Sequence, residues 1–381
     1  MKKIVVTGYS TVTPLGDNFQ KLYANSNASY ATMSQVATNN NFGETPVGVV
    51  EDAIIGSVIE DRERTKFDRI SIMATYVIKE LIERTGIADS KEALENTGII
   101  SGSGFGSVMS SEVLLHELYD KGHDAIDPMK FPHTSHNYPI SIGAIKYKIK
   151  GPITAFVAAN GAGFTALSFA KNLIESGAAP RIIVIGVEEI NGHLYKYLND
   201  SEYLGKPLGT NNIEPEKQVF VCEGCAGILL ESEESAIERN AKILCEITSG
   251  TVSNGGKQTS EDKIFNNLRK TLERATSLKE NKVGVYISNY DGINENLKTE
   301  NAAIQKLEKL GYKFDQTLNL KPLIGNYLGA SGLMEMAFIL KELEDGMQNV
   351  RGEDNRLEAG SYMILNYGLG GNICSILLSC N

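Results

Sequence analysis

The stretch GPITAFVAANGAGFTALSFAKNLIESG, Gly151 to Gly177, decides the fold. A Gly-Pro start leads into an apolar strand, then a turn of small residues, then a helix whose apolar side chains recur at helical spacing until Gly177 closes it. The apex of the turn is Asn160. Such a turn presents its apex side chain at a helix N-terminus, where aligned backbone N–H groups stabilise negative charge. A cysteine there would have a lowered pKa and serve as a thiolate nucleophile. Asparagine has no comparable electron pair, so no thioester forms on it. The scaffold has a catalytic shape without the reagent.

The same alternation extends outward in both directions. KKIVVTG, ENTGIISGSG, RIIVIGVEE, GCAGILLES, KVGVYISN, SYMILNYG and CSILLSC read as strands. DRISIMATYVIKELIERTG, SVMSSEVLLHELYDKG, DKIFNNLRKTLERAT, ENAAIQKLEKLG and GLMEMAFILKELEDG read as helices. This order predicts α/β layers around a largely parallel sheet. The polar run from Asn199 to Lys217 reads as one long surface loop, and no linker divides the chain. The second half echoes the first: IGNYLGASGLMEMAFILKELEDG, Ile324 to Gly346, is another glycine-flanked Asn turn entering an amphipathic helix, followed after a loop by a strand. Two such halves packed face to face would make a five-layered α-β-α-β-α body, with residues 1–240 as one half and 241–381 as the other.

Composition excludes several classes. The chain has 381 residues, 42% hydrophobic and 22% charged, ordinary for a soluble globular protein. A formal charge of -10 is the wrong sign for nucleic acid as main partner. No apolar run reaches the roughly 20 residues of a membrane span, and the N-terminus lacks a signal-peptide pattern. Five cysteines, an odd count without framework spacing, fit a reduced cytoplasm. Cys222 and Cys225 have CxxC spacing but no second pair, so they read as small buried apolar residues rather than a metal or redox site. Arg62, Arg64, Lys66 and Arg69 alternate with Glu60, Asp61, Glu63 and Asp68, the pattern of a solvated face. The histidines are His116, His123, His133, His136 and His193, each read as solvated or structural, and none follows His193.

Taken in order, these segments resemble the β-ketoacyl-acyl carrier protein synthases of the thiolase-like fold over nearly the whole chain. VVTGYSTVTPLG resembles the family's opening strand and turn, and RTKFDRISIMAT its early helix. SGSGFGS and FPHTSHNYPISIGAIKYKIKGP resemble the run before the nucleophile strand, and VFVCEGCAGILLES stands at the GEGAG segment. LKPLIGNYLGASGLME resembles the lysine–histidine turn, and LNYGLGG the C-terminal gate. The resemblance places the family's cysteine on Asn160, its first histidine near Tyr290 and its second on Asn326. It retains the lysine as Lys321 and the downstream acid as Glu335, here read as an internal ion pair. In active relatives the cysteine takes the acyl chain and the histidines stabilise the enolate formed on decarboxylation.

With all three positions changed, the resemblance implies an inactive subunit: a chain-length factor, or ketosynthase β subunit. It would pair with an active ketosynthase as a heterodimer and meet acyl carrier protein through that complex, in a type II polyketide pathway (of polyene type) or a specialised fatty-acid pathway. No cofactor and no metal are implied. The uncharged strand from Ile153 to Ala159 is expected to be buried against the partner. Phe131, His133, Tyr138, Phe156 and Leu369 are the expected tunnel and interface residues, and His133 and His136 the imidazoles nearest the pocket. Two rivals stand beside this: a malonyl-carrier-protein decarboxylase or acyltransferase working with altered residues, and a homodimeric scaffold that binds acyl chains.

Overall fold

The computed structural model describes residues 2–23, 46–60, 63, 66–200, 218–256, 259–275, 278–345 and 357–380. The strands are β1 (Ile4–Thr13), β2 (Gly16–Asp17), β3 (Thr97–Ser103), β4 (Ile153–Val157), β5 (Arg181–Glu188) and β6 (Gly224–Ser232) in the first half. The second half contributes β7 (Cys245–Asn254), β8 (Lys282–Ile287), β9 (Lys313–Leu318), β10 (Gly360–Tyr367) and β11 (Asn372–Cys380). The longer helices are α1 (Arg69–Arg84), α2 (Val108–Lys121), α3 (Tyr138–Tyr147), α4 (Ala162–Glu175) and α5 (Gly192–Asp200). After them come α6 (Glu261–Arg274), α7 (Asn294–Lys309) and α8 (Ser331–Asp345).

The sheet order is β4-β3-β5-β6-β1-β7-β11-β10-β8-β9. Read from its two ends, it is one pattern used twice. β3 is parallel to β4 and β5, β5 antiparallel to β6, and β6 antiparallel to β1. In the same way β8 is parallel to β9 and β10, β10 antiparallel to β11, and β11 antiparallel to β7. The halves meet where Val5 and Val6 of β1 pair antiparallel with Glu246 and Cys245 of β7.

Alternation along the strands builds the layers, because successive side chains point to opposite faces. On β5, Ile182 and Val184 enter a core that also holds Phe164 and Leu167 of α4, while Ile183, Ile185 and Val187 pack with Val77 and Leu81 of α1. On β10, Tyr362 and Ile364 enter that same central core, while Met363 and Leu365 pack with Leu268 of α6 and Leu307 of α7. α4 and α8 therefore fill the middle, α1 and α3 cover one outer face, and α6 and α7 cover the other. α8 is buried nearly all round, from Ser331 to Leu340, as a middle layer requires. These are the expected five layers in two similar halves.

The sheet is mixed rather than largely parallel, since β6, β1, β7 and β11 join it antiparallel, and several elements also depart from the sequence-based expectation. β7 and β9 depart from any apolar run: β7 alternates buried and half-exposed residues through much of its length, and β9 alternates exposed and half-buried ones up to the buried Leu318. Of the loop expected from Asn199 to Lys217, Asn199 and Asp200 instead end α5, and residues 201–217 lie outside those described. The strand expected from Ile153 to Ala159 ends at Val157, and it is not buried in this chain: β4 is a sheet edge with Ile153 and Val157 exposed. Arg69 is not on a solvated face either. Its guanidinium reaches inward to the fully buried Glu223 and outward to Asp52. Arg62 and Arg64 lie outside the described residues.

Candidate functional site

Asn160 is buried in a tight 3-10 turn, Ala159–Gly161, that leads directly into α4. The preceding Ala159 has φ +44°, the left-handed region that a residue with a Cβ rarely adopts, so the apex is held under backbone strain. Across from it runs the glycine-rich loop after β10. Asn160 Oδ1 accepts a hydrogen bond from the backbone N–H of Leu369 at 3.1 Å. Gly368, at φ +155°, lies so close that a Cβ there would stand 2.8 Å from Asn160 Cγ. An inward-pointing N–H at this place is what a thioester carbonyl or a developing oxyanion would use. Here the chain's own carboxamide already occupies it.

The second Asn turn packs against the first. Asn326 is buried, and its Oδ1 accepts from the Leu328 N–H at 3.1 Å and the Ser331 hydroxyl at 3.0 Å, an Asx turn just ahead of α8. Gly329, just beyond, sits where a Cβ would be 2.8 Å from the Ala159 carbonyl, so the two turns touch backbone to backbone. Tyr290 is buried on the loop after β8. Its neighbour Asn289 donates through Nδ2 to the Tyr367 carbonyl at 2.9 Å, which ties this loop to the base of the Gly368–Leu369 gate. Asn160 and the Tyr290 loop therefore meet at one gate, and the Asn326 turn packs against the Asn160 turn through Gly329. A groove of about 430 Å³ opens there, lined by Asp291, Ile293, Asn296, Tyr367, Gly368 and Leu369.

Lys321 is buried beneath this gate. Its Nζ donates to Asn289 Oδ1 at 2.5 Å and to the Asn289 carbonyl at 3.2 Å, and stands 3.7 Å from Glu335 Oε1. Asn289, not Glu335, is its closest partner. Burial pushes Glu335 up to about 7, against the pull of the Lys321 ammonium. The thiol nearest the Asn160 turn is Cys374, whose Sγ lies 3.6 Å from the Gly161 carbonyl. Burial pushes it up to about 12, far from the thiolate a nucleophile needs.

Two acids that sequence reasoning did not single out are central to the site. Glu188, fully buried at the end of β5, accepts from the Ser103 hydroxyl at 3.0 Å and the Phe105 N–H at 3.2 Å. Its other oxygen accepts from Gly104 N–H at 2.7 Å and Gly329 N–H at 3.2 Å, so one carboxylate ties the loop after β3 to the turn before α8. Burial lifts it to about 7 while the four donors oppose the shift. Glu189 accepts from the Met109 N–H at 3.2 Å, and burial, reinforced by Asp68, lifts it to about 8. Two acids ending an otherwise apolar strand were the signal available in VEE; their partners were not readable.

The expected tunnel and interface residues fall in different places. Phe131 is 64% exposed on the outer surface. His133 is buried and stacks on Tyr138 at 4.4 Å, and the Tyr138 hydroxyl donates to the Lys66 carbonyl at 2.8 Å. His136 packs against Gly106, on the loop after β3. Phe156 meets Phe169 of α4 edge-on at 5.2 Å, and Leu369 packs at the gate with Leu328, Ile190 and Val221. His116 and His193, read as separately solvated, come together around Glu112.

The profile of the family described as Beta-ketoacyl synthase, N-terminal domain, matches residues 1–236. The chain belongs to the β-ketoacyl synthase family. Among curated β-ketoacyl synthase relatives, the 3-oxoacyl-[acyl-carrier-protein] synthase homolog of Saccharomyces cerevisiae is 24% identical, aligned over 90% of this chain and 86% of the relative. The 3-oxoacyl-[acyl-carrier-protein] synthase 2 of Synechocystis is 26% identical over 65% of this chain and 61% of its own length. Among solved structures, the ishigamide ketosynthase/chain length factor superposes with a TM-score of 0.80 at 18% identity, covering 100% of this chain and 99% of that one. A type II PKS ketosynthase complex, solved with its acyl-carrier protein and bound to the hexaketide, gives a TM-score of 0.73 at 21% identity, with coverage of 100% and 99%. These likenesses establish the thiolase-like ketosynthase fold. Among the described residues no helix is long and apolar enough to cross a membrane.

Proposed function

We propose that this chain is a β-ketoacyl synthase homologue without condensing activity of its own, serving as chain-length partner to an active ketosynthase in polyketide or specialised fatty-acid synthesis. The observation that carries this is the Asn160 carboxamide, which stands at the reactive corner and takes the Leu369 N–H at 3.1 Å. It removes the nucleophile and fills the donor that would hold a thioester oxygen. Asn326 spends its oxygen on the Leu328 N–H and the Ser331 hydroxyl of its own turn, and Cys374 is a neutral buried thiol. With no imidazole at the gate, the enolate of a decarboxylating malonyl group would lack its donors, each worth about 3 kcal/mol of barrier.

The exposed apolar edge of β4 supports a partner. In this proposal it pairs across a two-fold axis with the equivalent strand of an intact Cys-His-His ketosynthase, an arrangement that related surfaces make isologous. Phe131 would then face the partner's acyl tunnel, and acyl carrier protein would dock on the complex. The setting is the cytoplasm, without a cofactor, and the chain divides at residues 1–240 and 241–381.

Two measurements on purified protein test the proposal. Incubated alone with labelled acyl- and malonyl-carrier protein, the wild type is expected to form no covalent adduct and no acetyl product. Asn160→Cys, which frees the Leu369 N–H and restores a thiol at a helix N-terminus, is expected to trap the acyl label without decarboxylating malonyl. Co-expressed with an active ketosynthase, the chain is expected to appear as a 1:1 complex by native mass spectrometry. Acylation of the wild type, or acetyl product above background, would sink the inert-subunit reading in favour of an enzyme; a homodimer that ignores the ketosynthase would favour a scaffold.

A further inference from the structure

We propose that Glu112, His116 and His193 form a divalent-metal site of zinc type that joins α2 to α5. The proposal is independent of the reactive corner and departs from the expectation, drawn from the family resemblance, that the chain takes no metal. Glu112 and His116 are four residues apart on α2, so they share one face of the helix. His193 is the second residue of α5, from a segment 77 positions further along the chain. Its place is fixed by Asn191, whose Oδ1 accepts from Leu194 N–H at 2.8 Å and whose carbonyl accepts from Tyr195 N–H at 2.9 Å. The result is a contact of 2.7 Å between His193 Nδ1 and Glu112 Oε1, with the His116 ring centroid 6.2 Å from that of His193.

All three candidate ligand atoms lie within 4.8 Å of one another. Ligands at zinc bond lengths of about 2.0–2.1 Å stand roughly 3.3 Å apart in a tetrahedron. Closing the remaining gap needs only side-chain rotation, which is inexpensive because the groups are not packed: the His193 side chain is 62% exposed and that of Glu112 28%. Two neutral imidazoles and one carboxylate suit zinc over calcium or magnesium, which prefer all-oxygen shells. Three protein ligands leave the fourth position to water. The one nearby ammonium on α5, Lys196, is held by Asp200 at 2.6 Å, one turn away from His193. A net charge of -10 favours a cation at the surface.

The clamp has a structural consequence. α5 buries Leu194 and Leu198 in the cluster that contains Leu328 and, at its margin, Phe105 and Leu369. Tyr197 also meets Phe105 edge-on at 6.0 Å. Metal binding therefore fixes the helix that roofs the gate, by tying it to α2 in addition to these apolar contacts.

The test uses untagged full-length protein stripped with a chelator, then titrated with Zn²⁺ in competition with a chromophoric chelator. One equivalent is expected to bind, and Tm to rise by about 3 °C when Zn²⁺ is a hundredfold above Kd. His116→Ala and His193→Ala should each weaken binding at least about tenfold. His123→Ala, which changes an exposed histidine just beyond α2, should not. Co²⁺ in place of Zn²⁺ should give ligand-field bands without a thiolate charge-transfer band. No bound equivalent, binding indifferent to both histidine changes, or a thiolate band pointing to the cysteines would each overturn the site.

Discussion

At the scale of single residues, the substitutions that matter change which hydrogen-bond donors are free. Asn160 was legible in the sequence because a strand, a small-residue turn and a helix announce their own geometry. That its oxygen meets the Leu369 N–H was not, since those residues are 209 positions apart. Glu188 and Glu189 were hidden for the same reason: their donors come from Ser103 to Met109 and from Gly329. Glu189 makes a testable consequence. Burial first, then the negative charges of Asp68, Glu223 and Glu188, lifts it from 4.5 to about 8, opposed by the Met109 N–H. The folded chain thus keeps a proton that the unfolded chain gives up above about 4.5. Its contribution to stability is complete below that value and is lost as pH rises through about 8. Glu189→Gln cannot ionise, so the fall of Tm between pH 6 and pH 9 should be shallower in the variant, by on the order of 3 °C. Scanning calorimetry at each pH reads this directly, and parallel curves for the two proteins would refute it.

At the scale of elements, legibility followed burial on two faces. β5 and β10 were plain as apolar runs because each feeds two cores. β7, with buried and half-exposed positions alternating along CEITSGTVSN, and β9, KFDQTL, carry too many polar residues to stand out. α5 lay unseen because it is short and mostly polar, GHLYKYLND, with only Leu194 and Leu198 buried. β4 is the instructive case: its uncharged sequence looked buried, yet the chain alone leaves it at an edge with Val157 43% exposed. Natural edges are usually blunted by charge, proline or a bulge within the strand. Ile153 to Val157 has none of these. A lysine at such an edge opposes strand pairing while costing the monomer little, because the side chain already meets water. Val157→Lys should therefore weaken association with any partner by at least about a hundredfold, roughly the loss of one desolvated charge at an interface. Sedimentation velocity should show the monomer, with an unchanged Tm. A complex that survives intact would move the interface elsewhere.

At the scale of the whole molecule, the repeat does not make two independent bodies. The β1–β7 junction is short, two residue pairs, but the central core draws on both halves at once. Phe338 of α8 packs edge-on against Phe19 from the first half, with ring centroids 5.4 Å apart, and neither ring is exposed. Leu333 of α8 crowds Gly163 and Gly186 of the first half. Glu188 adds a polar stitch from β5 to Gly329. Removing either half would expose the middle layer of the other, at about 25 cal/mol per Å² of apolar surface. Unfolding should accordingly be one transition, despite the length of 381 residues. The chain has 16 tyrosines and no tryptophan, so tyrosine fluorescence samples both halves, and far-UV circular dichroism samples the layers. In urea the two signals should coincide within error at a protein concentration where the chain is monomeric. Separate midpoints would mean that the halves melt apart, and the shared core would then be a weaker bond between them than its burial implies.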